Sequence, residues 1–175
     1  MSGGLIQDGY LSPEELQSAP GIPSRDRMRR GPVAVIECVQ EIPCNPCEAA
    51  CPRHAIHVGS PITNCPVLDP EKCTGCGLCV PHCPGLAIFV ADLSGPEETA
   101  VITFPCEYLP LPAIGEVVDV VDRAGEVVGT GKVLRVVSTR TSDRTAAVTV
   151  ELPREHVMNV RGMRRRGVDK DGHER

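Results

Sequence analysis

The chain has 175 residues, of which ten are cysteine and only four aromatic, so a core of this size needs some filler other than large rings. Its formal charge of -5 excludes a general nucleic-acid binder, which requires clustered Lys and Arg to neutralise phosphate. No apolar run approaches a membrane span, and MSGGLIQDGYLSPEEL lacks the basic flank and apolar stretch of a secretory signal, so the expectation is a cytoplasmic chain with reduced thiols.

In chain order, residues 1–32 are rich in Pro, Gly, Ser and Arg and are expected to form an N-terminal docking arm. Ser12-Pro13-Glu14-Glu15 opens a helix there, with a hydroxyl cap followed by Pro and acids in the first turn. Residues 33–94 hold nine of the ten cysteines, between Cys38 and Cys83, and begin with an apolar strand at Val33-Ala34-Val35-Ile36. Within them Cys51-Pro52-Arg53-His54-Ala55-Ile56-His57-Val58 repeats as Cys83-Pro84-Gly85-Leu86-Ala87-Ile88-Phe89-Val90, at an offset of 32 residues. The same offset pairs Cys44 with Cys76, Cys47 with Cys79, and Val35-Ile36-Glu37 with Val67-Leu68-Asp69. Each half reads as a short strand, a cysteine loop with one helical turn, and another short strand. Two such halves are too short to bury themselves with side chains alone and must share a core.

Residues 95–160 read as a small antiparallel β domain. Eleven valines between positions 117 and 150 favour strands over helix. Asp122-Arg123-Ala124-Gly125 is a hairpin turn, and Gly129 and Gly131 mark a bulge or sharp bend. Ser138 to Thr145 is a polar loop before a last strand, Ala146 to Leu152, and Pro153 to Val160 adds a short helix. The expected shape is a barrel or curled sheet of about four to five strands. The remaining residues, 161–175, carry six basic and three acidic side chains with no apolar periodicity and read as a charged, solvated tail. No phosphate loop, dinucleotide fingerprint or nucleophile with its base occurs, so no catalytic site is expected.

The cysteines carry the chemistry. Cys73-Thr74-Gly75-Cys76-Gly77-Leu78-Cys79-Val80-Pro81-His82-Cys83-Pro84 is C-x2-C-x2-C-x3-C-P, the spacing of [4Fe-4S] ligands in bacterial proteins. Three thiolates on a tight loop reach three corners of one cubane, while the fourth follows a helical turn and points away. Gly75 and Gly77 let the backbone approach, so that amide N–H groups can stabilise cluster sulfur. Zinc sites usually take two C-x2-C pairs separated by a long spacer, a poorer fit. The first half supplies Cys44, Cys47 and Cys51 at the last three positions, but Glu41 stands where strict spacing puts the first cysteine. Cys38 is the preferred replacement if Val39 to Pro43 bulge outward, and Cys65 is its rival; a three-iron or missing cluster is the alternative at this site. Cys106, and Cys65 if unused, read as inert thiols. His54, His57 and His82 lie near the thiols and read as structural or surface groups. Glu37, Glu41, Glu48, Asp69, Glu71 and Asp92 outnumber Arg53 and Lys72, and such an acidic face suits a basic partner.

On these runs, residues 33–94 resemble the two-cluster bacterial ferredoxins. The fold class implied is α+β: a ferredoxin-like two-cluster [4Fe-4S] domain followed by the small antiparallel β-barrel-like domain. The resemblance also implies crossed ligation, with cluster 1 on Cys38, Cys44, Cys47 and Cys83 and cluster 2 on Cys73, Cys76, Cys79 and Cys51. Through Ile36-Glu37-Cys38-x5-Cys44-Asn45-Pro46-Cys47-Glu48-Ala49-Ala50-Cys51-Pro52 and the strand-rich region after the second run, the chain is similar to small iron–sulfur subunits of flavin-dependent dehydrogenases of the proline, hydroxyproline and sarcosine type. That similarity implies FAD in a partner flavoprotein oxidising an amino or imino acid, with this chain as the electron-transfer subunit. A stand-alone soluble ferredoxin and a zinc-stabilised adaptor without redox role are the competing expectations.

Overall fold

The structure is a computed structural model describing residues 4–139 and 144–166. Three short helices come first: α1 (Leu5–Asp8), α2 (Pro13–Ser18) and α3 (Arg25–Arg29). Strand β1 (Val33–Ile36) leads through the helical turn α4 (Pro46–Ala49) to β2 (Ile56–His57). In the same way β3 (Val67–Leu68) leads through α5 (Cys79–His82) to β4 (Ile88–Asp92). Strands then dominate: β5 (Thr99–Cys106), β6 (Val117–Val121), β7 (Val127–Val137), β8 (Ala146–Pro153) and β9 (Gly162–Arg165), with a 3-10 turn at Arg154–His156 before the last.

The internal repeat folds as two nested antiparallel pairs, in which β1 pairs with β4 and, between them in the chain, β2 with β3. Ile36 faces Ile88 and Val35 faces Phe89, while at the repeat offset Leu68 faces Ile56 and Val67 faces His57. The register is the same in both pairs because the apolar residues demand it. A slip of one residue in the second pair would turn buried Ile56 and Leu68 outward.

β1 and β4 continue into a seven-stranded sheet of order β1-β4-β5-β8-β7-β6-β9. The expected domain boundary at 94–95 is therefore not a break. Ser94-Gly95-Pro96, at that boundary, lies in a hairpin connection, and β4 pairs with β5 through Val90 with Thr103 and Asp92 with Val101. Buried side chains from Met28 to Val160 form one apolar cluster across that point. β5 alternates buried and half-buried residues, as a strand with one covered face must. The Asp122–Gly125 turn closes with a Gly125 N–H to Asp122 C=O bond, and Gly125 takes the left-handed φ of 80° such turns require. Gly131 is a packing requirement: a Cβ there would stand 2.3 Å from Val150 Cγ1. The five strands after residue 95 curl until β9 meets β5. The polar loop expected at 138–145 lies partly outside the described residues.

The charged tail begins later than its composition suggests. Gly162–Arg165 pairs antiparallel with β6, and its arginines meet acids on or beside that strand: Arg165 with Glu116 at 2.8 Å, Arg166 with Asp119 at 3.1 Å and Arg164 with Asp119 at 3.7 Å. Basic residues join a strand here because their charges are met locally. Residues 167–175 lie outside the described structure.

The arm is folded onto its own chain. Ser12 caps α2 with a full capping box, its Oγ accepting from Glu15 N–H while Glu15 Oε2 accepts from Ser12 N–H at 2.8 Å. Leu11, Ala19 and Met28 are buried, and Gly21 C=O accepts from Ile36 N–H at 2.9 Å on the outer side of β1. No helix among the described residues is long and apolar enough to cross a membrane.

Candidate metal centres

Eight cysteines line two cavities, four to each. One cavity, about 340 Å³ including its solvent-facing space, is lined by Cys51, Cys73, Cys76 and Cys79 together with Ala34, Ile56 and Val90. The other, about 360 Å³ on the same measure, is lined by Cys38, Cys44, Cys47 and Cys83 together with Ile42, Asn64 and Ile88. Each cavity thus takes three cysteines from one half of the repeat and one from the other. Cys65 lines neither, although its neighbours Asn64 and Pro66 line the second.

The repeat explains the crossing. Cys51 and Cys83 each end a helical turn, and the chain three residues later enters the left-handed region, at His54 with φ 49° and Leu86 with φ 52°. That turn aims the following amide back at sulfur: Ala55 N–H donates to Cys51 Sγ at 3.3 Å and Ala87 N–H to Cys83 Sγ at 3.4 Å. The shared alanine of the repeat is therefore the residue whose amide meets the crossed thiol. A third such bond runs from Ala34 N–H on β1 to Cys73 Sγ at 3.4 Å.

The cavities fit iron–sulfur clusters on the chemistry of their donors. Burial first, and then neighbouring thiols, push Cys47 up to about 11 and Cys79 up to about 12. Burial, with Cys83, Cys65 and Cys44 nearby, likewise pushes Cys38 up. A strongly positive group placed among such thiols would offset that burial by stabilising their thiolates. No three His, Cys, Asp or Glu side chains among the described residues converge as a single ion requires. The thiols instead ring a space, which suits a polynuclear group lined by apolar walls and N–H donors.

The arm braces the cavity that Cys73 lines. Arg27 donates from Nε to Pro70 C=O at 2.6 Å, from Nη2 to Cys73 C=O at 2.6 Å and from Nη1 to Gly31 C=O at 3.1 Å. Gly75, with φ 63°, lies so close to the arm that a Cβ would stand 2.5 Å from Pro32 Cβ. Its freedom therefore serves packing against the arm as well as approach to the cavity.

The residues outside the cavities divide clearly. Cys106 is buried, with Sγ 3.9 Å from Tyr108 C=O, and burial pushes its thiol up. His82 Nδ1 lies 2.7 Å from Leu78 C=O, His57 is exposed beside Glu48, and His54 is exposed. The expected acidic face is weaker than the composition implies. Glu71 pairs with Arg30 of the arm, and Asp69 pairs with Lys72 at 3.0 Å. Glu37 is largely withdrawn from the surface: its side chain is 9% exposed and is held by Arg123 and Arg161. Both arginines come from far along the sequence, so nothing local to Glu37 announces the contact.

Residues 66–89 match the 4Fe-4S binding domain family. Over 38 residues the chain is 53% identical to one component of the Na(+)-translocating ferredoxin:NAD(+) oxidoreductase complex of Acetobacterium woodii, covering 22% of this chain and 11% of that protein. Over 73 residues it is 37% identical to an uncharacterized ferredoxin of Methanocaldococcus jannaschii, covering 41% of this chain and 44% of the relative. The chain thus spans about a tenth of the first relative and under half of the second. No solved structure matches it. The second cysteine run is accordingly a 4Fe-4S segment of ferredoxin type.

Proposed function

We propose that the chain is an electron-transfer protein with two [4Fe-4S] clusters, serving as the iron–sulfur subunit of a flavin-dependent dehydrogenase complex. The observation that carries the cluster count is the pair of cavities with four cysteines each. Cys38, Cys44, Cys47 and Cys83 would hold the first cluster, and Cys51, Cys73, Cys76 and Cys79 the second. Bound clusters supply one-electron redox chemistry. The chain's own residues exclude water with Ile56, Ile88 and Val80, offer N–H groups to three of the thiols, and tie both halves to both sites by the exchanged cysteine. The partner rests on the resemblance of residues 36–52, and of the strand-rich region after the second run, to small subunits of amino- and imino-acid dehydrogenases, which would put FAD and the substrate in another chain. One relative belongs by name to an oxidoreductase complex of several chains, which agrees with a role among partners.

The ligand set is tested by iron content and EPR of the dithionite-reduced protein. About eight irons per chain are expected, with about half lost in Cys38→Ser and none in Cys65→Ser. Loss of one signal in Cys65→Ser alone overturns the assignment. Native purification tests the partner: a flavoprotein running with this chain is expected, and a stable lone monomer leaves a free ferredoxin.

A further inference from the structure

Glu37, Arg123 and Arg161 form a largely buried ionic group, and its Glu37 directly precedes Cys38, which lines the first cysteine cavity. Arg123 grips Glu37 from Nε to Oε2 at 3.0 Å and from Nη2 to Oε1 at 2.5 Å. Arg161 donates from Nε to Oε1 at 2.7 Å. The side chains are 9%, 12% and 7% exposed, in the order Glu37, Arg123, Arg161. Two guanidinium groups therefore share one carboxylate, and the excess positive charge is kept from water. Arg161 is the less satisfied of the two: its Nη2 lies 2.6 Å from Glu37 Oε1 yet makes no hydrogen bond. Its guanidinium also lies over the Phe89 ring, 4.6 Å from the centroid.

The group is coupled to the thiols by position. Glu37 precedes Cys38, and its N–H donates to Ala87 C=O at 2.8 Å, while Ala87 N–H donates to Cys83 Sγ. Phe89 follows Ile88, which lines the cavity. A fixed positive charge in such a low-dielectric setting favours whichever redox state is more negative.

We propose that Arg123 and Arg161, only half neutralised by Glu37, raise the reduction potential of the first cysteine site. This inference rests on the two-cluster reading and makes the two arginines positioning residues of charge, touching no cluster themselves. Reduction adds one electron at that site and no proton. The uncompensated guanidinium stabilises the added charge.

The test is an EPR-monitored redox titration of the full chain, with dithionite as the electron donor, itself oxidised, and the second site as internal reference. Arg161→Gln and Arg123→Gln each leave a neutral pair and are expected to shift the first site's reduction equilibrium on the order of tenfold toward the oxidised state. That corresponds to about 59 mV for one electron. Arg161→Lys keeps the charge and is expected to stay within about threefold of native, while Glu37→Gln shifts the equilibrium the opposite way. Shifts of one sign in the arginine and glutamate variants, unmoved midpoints, or loss of the first site's iron in every charge-changing variant overturns the inference. About four irons in the native chain sinks the two-cluster reading instead, and with it the premise.

Discussion

At the scale of single residues, the cavities depend on small side chains and on backbone donors as much as on cysteine. Ala55 and Ala87 matter for their amides, delivered by left-handed His54 and Leu86. Gly75 matters because Pro32 occupies the space a Cβ would need. Gly75→Ala is expected to cost about 1–3 kcal/mol through overpacking, on top of the strain of a positive φ. Thermal unfolding measures that loss, and on the proposed function faster bleaching of the cluster held by Cys73 should accompany it in air. Arg27→Met should speed bleaching in the same way without a positive-φ clash, since it releases the carbonyls of Pro70, Cys73 and Gly31. Equal bleaching in both variants and the native chain would show that the arm does not brace this loop.

At the scale of elements, β9 shows how charge can build a strand. Burial pushes Glu116 up, but Arg165 and the Ala113 N–H outweigh it and hold the carboxyl below its ordinary 4.5. A carboxylate depressed by folding contributes stability above that ordinary value and loses it as pH falls through the folded one. Hydrogen-exchange protection of β9, corrected for intrinsic rates, should therefore decline as pH drops below about 4.5. Glu116→Gln should show the weaker protection already at neutral pH. The cysteine repeat, β1, the capped α2 and the Asp122–Gly125 turn are legible in the sequence because their causes are local: an apolar run, a hydroxyl before Pro, a glycine that takes positive φ. β9 and buried Arg161 are not, since a basic run looks solvated until the acids that meet it are known, and Glu37 lies 124 positions from Arg161. The boundary expected at 94–95 fails for a related reason, because composition changes there while strand pairing runs across it.

At the scale of the whole molecule, the cysteine region joins the valine-rich strands through β1 and β4 of the seven-stranded sheet and through one apolar cluster. The shortage of aromatic rings is met from two sources, β-branched packing in β5 to β8 and, on the proposed function, inorganic cores between the repeat halves. Removing iron should therefore act unevenly. Chelation with mild oxidation is expected to strip exchange protection from α4, α5, β2 and β3, while β5, β7 and β8 stay protected by their own pairing. Uniform loss along the chain would mean that the clusters hold the entire fold.

β1 occupies one rim of that sheet, and both outward-pointing amides described for it are already engaged. Ile36 N–H meets the arm at Gly21 C=O, and Ala34 N–H meets the sulfur of Cys73. A cysteine of the proposed second cluster thus doubles as a stopper on a strand that would otherwise recruit another chain. Demetallation then does more than extinguish a redox centre: it uncaps a sticky border, and light scattering of the stripped protein should rise with concentration as molecules join along it.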